Sequence, residues 1–164
     1  MLYKQIYKSP LGSISLIASD KGLIGAWFEG QKYYEKGVTE KVSVTSHHVL
    51  EQACDLLTSY FSGENPDFSP LPLDLRGTAF QLRVWKILQE IPADHTTTYG
   101  QIAKELGIQS GQAIGGAVGR NPLSIIIPCH RVLSGDGKLT GYAGGLDKKI
   151  WLLQHEIPGF EVKK

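Results

Sequence analysis

The sequence predicts an α+β fold in two parts, a small N-terminal α/β lobe over residues 1–76 and a mainly helical C-terminal domain over 77–164. Three observations carry this. Apolar residues alternate two apart near the N-terminus, and a helical period of about 3.6 dominates after Thr78. Between them, residues 64–77 hold three prolines and little periodicity, as a boundary between lobes does. With 164 residues, 41% hydrophobic and 20% charged, the chain can build one ordinary core or two small lobes.

Residues 1–30 read as a meander: Ile14, Leu16 and Ala18 alternate, Asp20-Lys21-Gly22 turns the chain, and Leu23 to Phe28 resumes an apolar strand. Ser46 to Phe61 reads as a helix with Leu50, Ala53, Leu57 and Phe61 on one face, and Cys54 beside that face as a buried structural thiol. His47 and His48 are expected to face solvent. Thr78 and Gln81 form a capping box that opens a helix with Phe80, Val84, Ile87, Leu88 and Ile91 as its stripe. Thr98 and Gln101 open another, closed by Gly107, and Ser110 starts a third of about two turns, ending near Gly119. Two short helices around a glycine turn outline a helix-turn-helix. A last helix is expected over Lys148–His155.

The third of these helices is unusual. Ala113, Ile114, Ala117 and Val118 supply a face to bury, while Gly111, Gln112, Gly115, Gly116 and Gly119 make the other. Each interior glycine costs roughly 1 kcal/mol relative to alanine, so the pair Gly115-Gly116 needs a reason. Close packing against a neighbouring element is one; close approach of the backbone to a nucleic-acid groove is another. The residues alone do not choose between them.

Charge and cysteine usage exclude some classes. Residues 1–76 carry net −2 and residues 77–164 net +3, which permits a polyanion on the C-terminal side without resembling a polybasic tail. Lys4 and Lys8 interrupt the N-terminus where a signal peptide would be apolar, and no run approaches a membrane span. Two cysteines in no framework point to a reducing compartment, with the cytoplasm, or else the nucleus, expected. No zinc-ligand spacing, phosphate loop or dinucleotide fingerprint is present, so neither metal nor cofactor is expected.

The chemistry concentrates at Ile127-Pro128-Cys129-His130-Arg131-Val132. A cysteine beside a titratable base and a fixed cation favours the thiolate, the nucleophilic form. In an extended strand Cys129 and His130 would point to opposite faces, so a base contact needs a turn at Pro128 or an intervening water. His130 also needs a carboxylate to fix its tautomer; Glu156, Asp136 and Asp147 are the available acids.

These residues resemble those of the O6-alkylguanine-DNA alkyltransferases over nearly the whole chain. The matching runs are Thr98-Tyr99-Gly100-Gln101-Ile102-Ala103, Gly115-Gly116-Ala117, Asn121-Pro122, Ile127 to Val132, Gly141 to Leu146, and Trp151-Leu152-Leu153 with His155-Glu156. The resemblance implies a ribonuclease-H-like first lobe and a winged-helix-like helix-turn-helix in the second. It implies Cys129 as alkyl acceptor, His130 as the base, Glu156 orienting the imidazole, Asn121 bracing the turn and Tyr99 serving the departing guanine. Val132, Tyr142, Ala143 and Gly144 would border the base pocket. Gln112, Ala113, Gly115, Gly116 and Arg120 would meet the minor groove of double-stranded DNA, with the damaged base flipped out. Lys104 and Arg131 are further phosphate candidates, and Arg131 is equally a candidate brace; Lys148 and Lys149 are expected on a solvated face.

The implied activity is direct repair of DNA by a monomer: irreversible, single-turnover transfer of an alkyl group from O6-alkylguanine, with O4-alkylthymine as a second candidate substrate. Two departures stand out. Gln112 occupies the place of the family's usual arginine, and Ala143 stands where some members carry serine. A non-catalytic sensor of alkylated bases and a cysteine hydrolase are the competing classes. The sensors of this kind lack the acceptor thiol, and a hydrolase would turn over many times.

Overall fold

The computed structural model describes residues 1–163 as two compact units, one formed by Met1–Arg76 with Pro122–Ile126, the other by Gly77–Asn121 with Ile127–Lys163. No helix of the described residues is long and apolar enough to cross a membrane.

The first unit is a four-stranded sheet and one helix. β1 (Leu2–Ser9), β2 (Gly12–Ala18) and β3 (Leu23–Phe28) form an antiparallel meander, and β4 (Val42–Val44) joins β1 in parallel, giving the order β3-β2-β1-β4. Ile14 and Leu16 alternate as expected of a half-buried strand, yet Ser15 and Ile17 are buried too. Ile17 packs with Leu2, Ile24 and Trp27 under a cover of Tyr34, Val38 and Val42, so β2 is enclosed on both faces. Helix α1 (His48–Phe61) packs on β1 and β2 and buries Leu50, Ala53 and Leu57. His47 is not solvent-facing: it is the N-cap, accepting from the Val49 amide through Nδ1 at 3.3 Å and stacking on Tyr3 at 4.4 Å. An N-cap is free to turn inward because its φ/ψ lie outside the helix. Cys54 is half-buried rather than buried, and burial raises its thiol pKa.

The second unit is helical. α2 (Ala79–Gln89) begins at the complete Thr78–Gln81 capping box. Its Trp85 indole N–H donates to Ala117 O at 2.8 Å, satisfying a buried donor. α3 (Tyr99–Leu106) is capped by Thr98 Oγ1 on the Gln101 amide and ended by Gly107 at φ 68°, a left-handed conformation that glycine adopts without steric cost. α4 (Gly111–Gly119) starts at Ser110 and packs on α3 and α2, in the order a helix-turn-helix requires. β5 (Thr97–Thr98) and β6 (Val132–Leu133) pair in parallel, and α5 (Leu146–Glu156) begins two residues before the expected Lys148.

Candidate active site

Cys129 opens a single 3-10 turn, Cys129–Arg131, and the turn explains how neighbouring residues serve one site. Pro128 precedes it with φ −80° and ψ 66°, and Cys129 N donates to Ile127 O at 2.8 Å. That three-residue hydrogen-bonded turn ends the apolar run before any strand alternation can set Cys129 and His130 on opposite faces. Asn121 Nδ2 donates to the same Ile127 carbonyl at 2.7 Å and its side chain also hydrogen-bonds the Cys129 thiol. Cys129 is only 6% exposed. Burial raises its pKa, while the Asn121 bond and the charge of Lys149 pull the other way.

The carboxylate left open by the sequence is Glu156. His130 Nε2 lies 2.6 Å from Glu156 Oε2, and Arg131 Nε donates to Glu156 Oε1 at 2.7 Å. Asp136 is instead exposed and bonded to Ser134. Glu156 ends α5, where the helix dipole disfavours an anion. Burial would raise its pKa further, but His130 and Arg131 hold it well below the usual carboxylate range. With an ionised carboxylate at Nε2, the hydrogen of a neutral imidazole sits on Nε2 and the lone pair on Nδ1. Burial pushes the His130 pKa down, which keeps the ring neutral, with the Nδ1 lone pair open to a proton. Its Nδ1 is fully buried and has no hydrogen-bond partner among the described residues. Arg131 is the brace rather than a phosphate contact, since its Nη1 also donates to Ile91 O at 2.6 Å and it is 8% exposed.

The remaining candidates lie at the start of α3, in β6 and in the segment before α5. Tyr99, half-buried at the start of α3, accepts from Thr140 Oγ1 at 3.0 Å, which leaves its own hydroxyl hydrogen available as a donor. Burial raises the Tyr99 pKa and keeps the phenol protonated. Val132 is buried in β6, and Tyr142, Ala143 and Gly144 are half-buried in the segment leading to α5. Hydrogen bonds thus tie Asn121 to the Ile127 carbonyl and the Cys129 thiol, and tie His130 and Arg131 to Glu156, while Tyr99 bonds Thr140.

Lys149 departs from expectation. It is not on a solvated face: its side chain is fully buried, and Nζ donates to Val132 O at 2.7 Å and Thr140 O at 3.3 Å. Burial lowers its pKa to about 8, partly opposed by Cys129. The signal was present in the helix period, because Lys149 lies three and four residues before Leu152 and Leu153 and shares their buried face. Lys148, half-buried, does not share that depth.

The glycine face of α4 resolves against packing. A β-carbon on Gly115 or Gly119 would meet no atom within 4 Å, and one on Gly116 only Arg120 Nη1 at 3.4 Å. Gln112 and Ala113 are exposed at the start of the helix, and Arg120 at its end donates to Gly116 O at 3.1 Å. Within the described residues, nothing requires these positions to lack a side chain.

Known proteins resemble this chain over nearly its full length. The profile of the 6-O-methylguanine DNA methyltransferase ribonuclease-like domain matches residues 2–75, and that of the same family's DNA-binding domain matches residues 79–157. A methylated-DNA–protein-cysteine methyltransferase of Mycobacterium bovis is 51% identical over 157 residues, 95% of this chain and 93% of its own length. One from Methanosarcina acetivorans is 43% identical, covering 94% of this chain and 98% of its own. Among solved structures, the Mycobacterium tuberculosis protein in complex with DNA superimposes with a TM-score of 0.82 at 38% identity, over 96% of each chain. On both profiles and on relatives matched nearly end to end, the chain belongs to the 6-O-methylguanine DNA methyltransferase family.

Proposed function

We propose that this protein repairs alkylated DNA by direct reversal, with Cys129 as the acceptor. The thiol gives its proton to His130 Nδ1, directly or over one bridging water. The thiolate sulfur attacks the alkyl carbon of O6-alkylguanine in line; a C–S bond forms as the C–O bond breaks and the electron pair stays on the guanine oxygen. The Tyr99 hydroxyl donates towards the departing ring. The thioether has no carbonyl for water to attack, so each molecule acts once and needs no cofactor. O4-alkylthymine presents the same O-alkyl carbon and is a second candidate.

The observation that carries this reading is the His130–Glu156 pair at the residue next to Cys129, in which Nε2 is committed to the carboxylate and the buried Nδ1 alone remains to take a proton. DNA meets the bare face of α4 from the minor groove, with Gln112 in the base stack and Arg120 near the backbone. Val132, Tyr142, Ala143 and Gly144 border the flipped base. The protein acts as a monomer in the cytoplasm, one thiol per lesion.

The test is stoichiometric. Duplex DNA containing O6-methylguanine is supplied in excess and restored guanine is counted per protein. A plateau at one supports the proposal. Restoration beyond one identifies a turning-over hydrolase, and tight binding with no restoration identifies a sensor.

A further inference from the structure

The loop that delivers Cys129 is anchored outside the unit that holds it. Residues Pro122–Ile126 group with the first unit, whereas Asn121 and Ile127 on either side belong to the second. Pro122 O accepts from Ala26 N at 2.8 Å and Ser124 N donates to Ala26 O at 3.0 Å, so the excursion lies against β3 as a short parallel bridge at Leu123. The neck of the excursion is closed by Asn121 Nδ2 on Ile127 O at 2.7 Å, the carbonyl that also receives the Cys129 amide.

Two features at its tip are unusual. Ile125 has φ 73°, a left-handed conformation that a β-branched residue rarely adopts, inside a three-residue turn closed by Ile126 N on Ser124 O at 2.8 Å. Such backbone persists only where its surroundings over-determine it. Beside it, Ser124 Oγ donates at 3.2 Å to Oε1 of Gln31, which also accepts from Phe28 N at 2.8 Å. Gln31 and Ser124 are 8% and 3% exposed, so a buried amide oxygen is divided between the end of β3 and the loop.

We infer that Gln31 is a positioning residue for Cys129: by holding Ser124 it fixes the turn at Ile125, and through it the Ile127 carbonyl on which the acceptor turn is built. The inference rests on Cys129 being the acceptor, as proposed above. Gln31 touches neither the thiol nor the substrate; it acts through four residues of constrained backbone.

The test is a double-mutant cycle of Gln31→Met, which keeps side-chain length but removes the acceptor, and Ser124→Ala, in a Cys54→Ala background. Single-turnover transfer from O6-methylguanine duplex, alkylation of Cys129 by iodoacetamide across pH, and thermal midpoints are measured for each. Both singles are expected to slow transfer about tenfold and to move the pH profile of alkylation, with the double no slower than the slower single. Rates within twofold of the parent, an unmoved pH profile, or losses that multiply would overturn it. Gln31→Glu, which restores an acceptor oxygen, should recover the profile, and a loss that tracks only the fall in thermal midpoint would reduce Gln31 to a structural residue. If the parent transfers no methyl group while the alkylation profile still responds, the repair reading fails and the positioning role stands.

Discussion

Replacing Lys149 with methionine keeps the side-chain length and deletes a buried charge with its bonds to Val132 O and Thr140 O. Burial lowers the Lys149 pKa from 10.5 to about 8, and a gap of that size corresponds to about 3 kcal/mol. Because the folded pKa lies below the unfolded one, the unfolded chain binds the proton more tightly. The penalty is therefore complete below about pH 8 and is released as pH rises towards 10.5. Between pH 7 and pH 9.5 the native Lys149 protein should gain about 2 kcal/mol of stability relative to Lys149→Met, with Cys129, whose pKa Lys149 influences, replaced by alanine in both proteins so that its titration drops out of the difference. Urea unfolding of both proteins at the two pH values measures it, with Trp85 and Trp151 reporting on the unit that holds Lys149. A stability difference that stays constant with pH, or moves the other way, refutes a buried, charged Lys149. With Cys129 retained, the same substitution removes the positive charge that opposes the raised Cys129 pKa, so methyl transfer should require higher pH.

Other expectations follow from the same contacts. Glu156→Gln leaves Arg131 without its anion and His130 without its tautomer lock; it should lower stability by about 3 kcal/mol and slow transfer on the order of a hundredfold, read from urea unfolding and single-turnover rates. Gly115→Ala adds a methyl group where nothing lies within 4 Å; it should stabilise α4 by up to roughly 1 kcal/mol while weakening duplex binding, and unchanged DNA affinity would remove α4 from the interface. Gln112→Arg should speed duplex repair and tighten affinity with little effect on free O6-alkylguanine; equal rates on duplex for both proteins would contradict a wedging role.

What the sequence reveals depends on the range of the interactions concerned. α2, α3 and α4 were legible because Thr78, Thr98, Ser110 and Gly107 are caps, and caps act within one turn of the residues they satisfy. Cys129 stood out because its activating neighbours are adjacent in the chain. The residues alone did not choose Glu156 over Asp136 and Asp147, and only the family resemblance named it, since 26 residues separate Glu156 from His130 and the packing of α5 brings them together. Lys149 was misread because a lysine is almost never fully buried, although its spacing to Leu152 and Leu153 placed it on the inner face. β4, β5 and β6 are two or three residues long, too short for alternation to appear. The excursion at Pro122–Ile126 could not be foreseen because its bonding partners, Ala26 and Gln31, lie some 90 residues away.

The central claim is that one thiol receives the alkyl group. After incubation with duplex containing O6-methylguanine, the protein is digested and its two cysteine-bearing peptides are weighed. The account predicts one methyl in place of the thiol hydrogen on the Cys129 peptide, none on the Cys54 peptide, and no transfer by Cys129→Ala. A methyl group found on Cys54, or guanine restored by the Cys129→Ala protein, would contradict it.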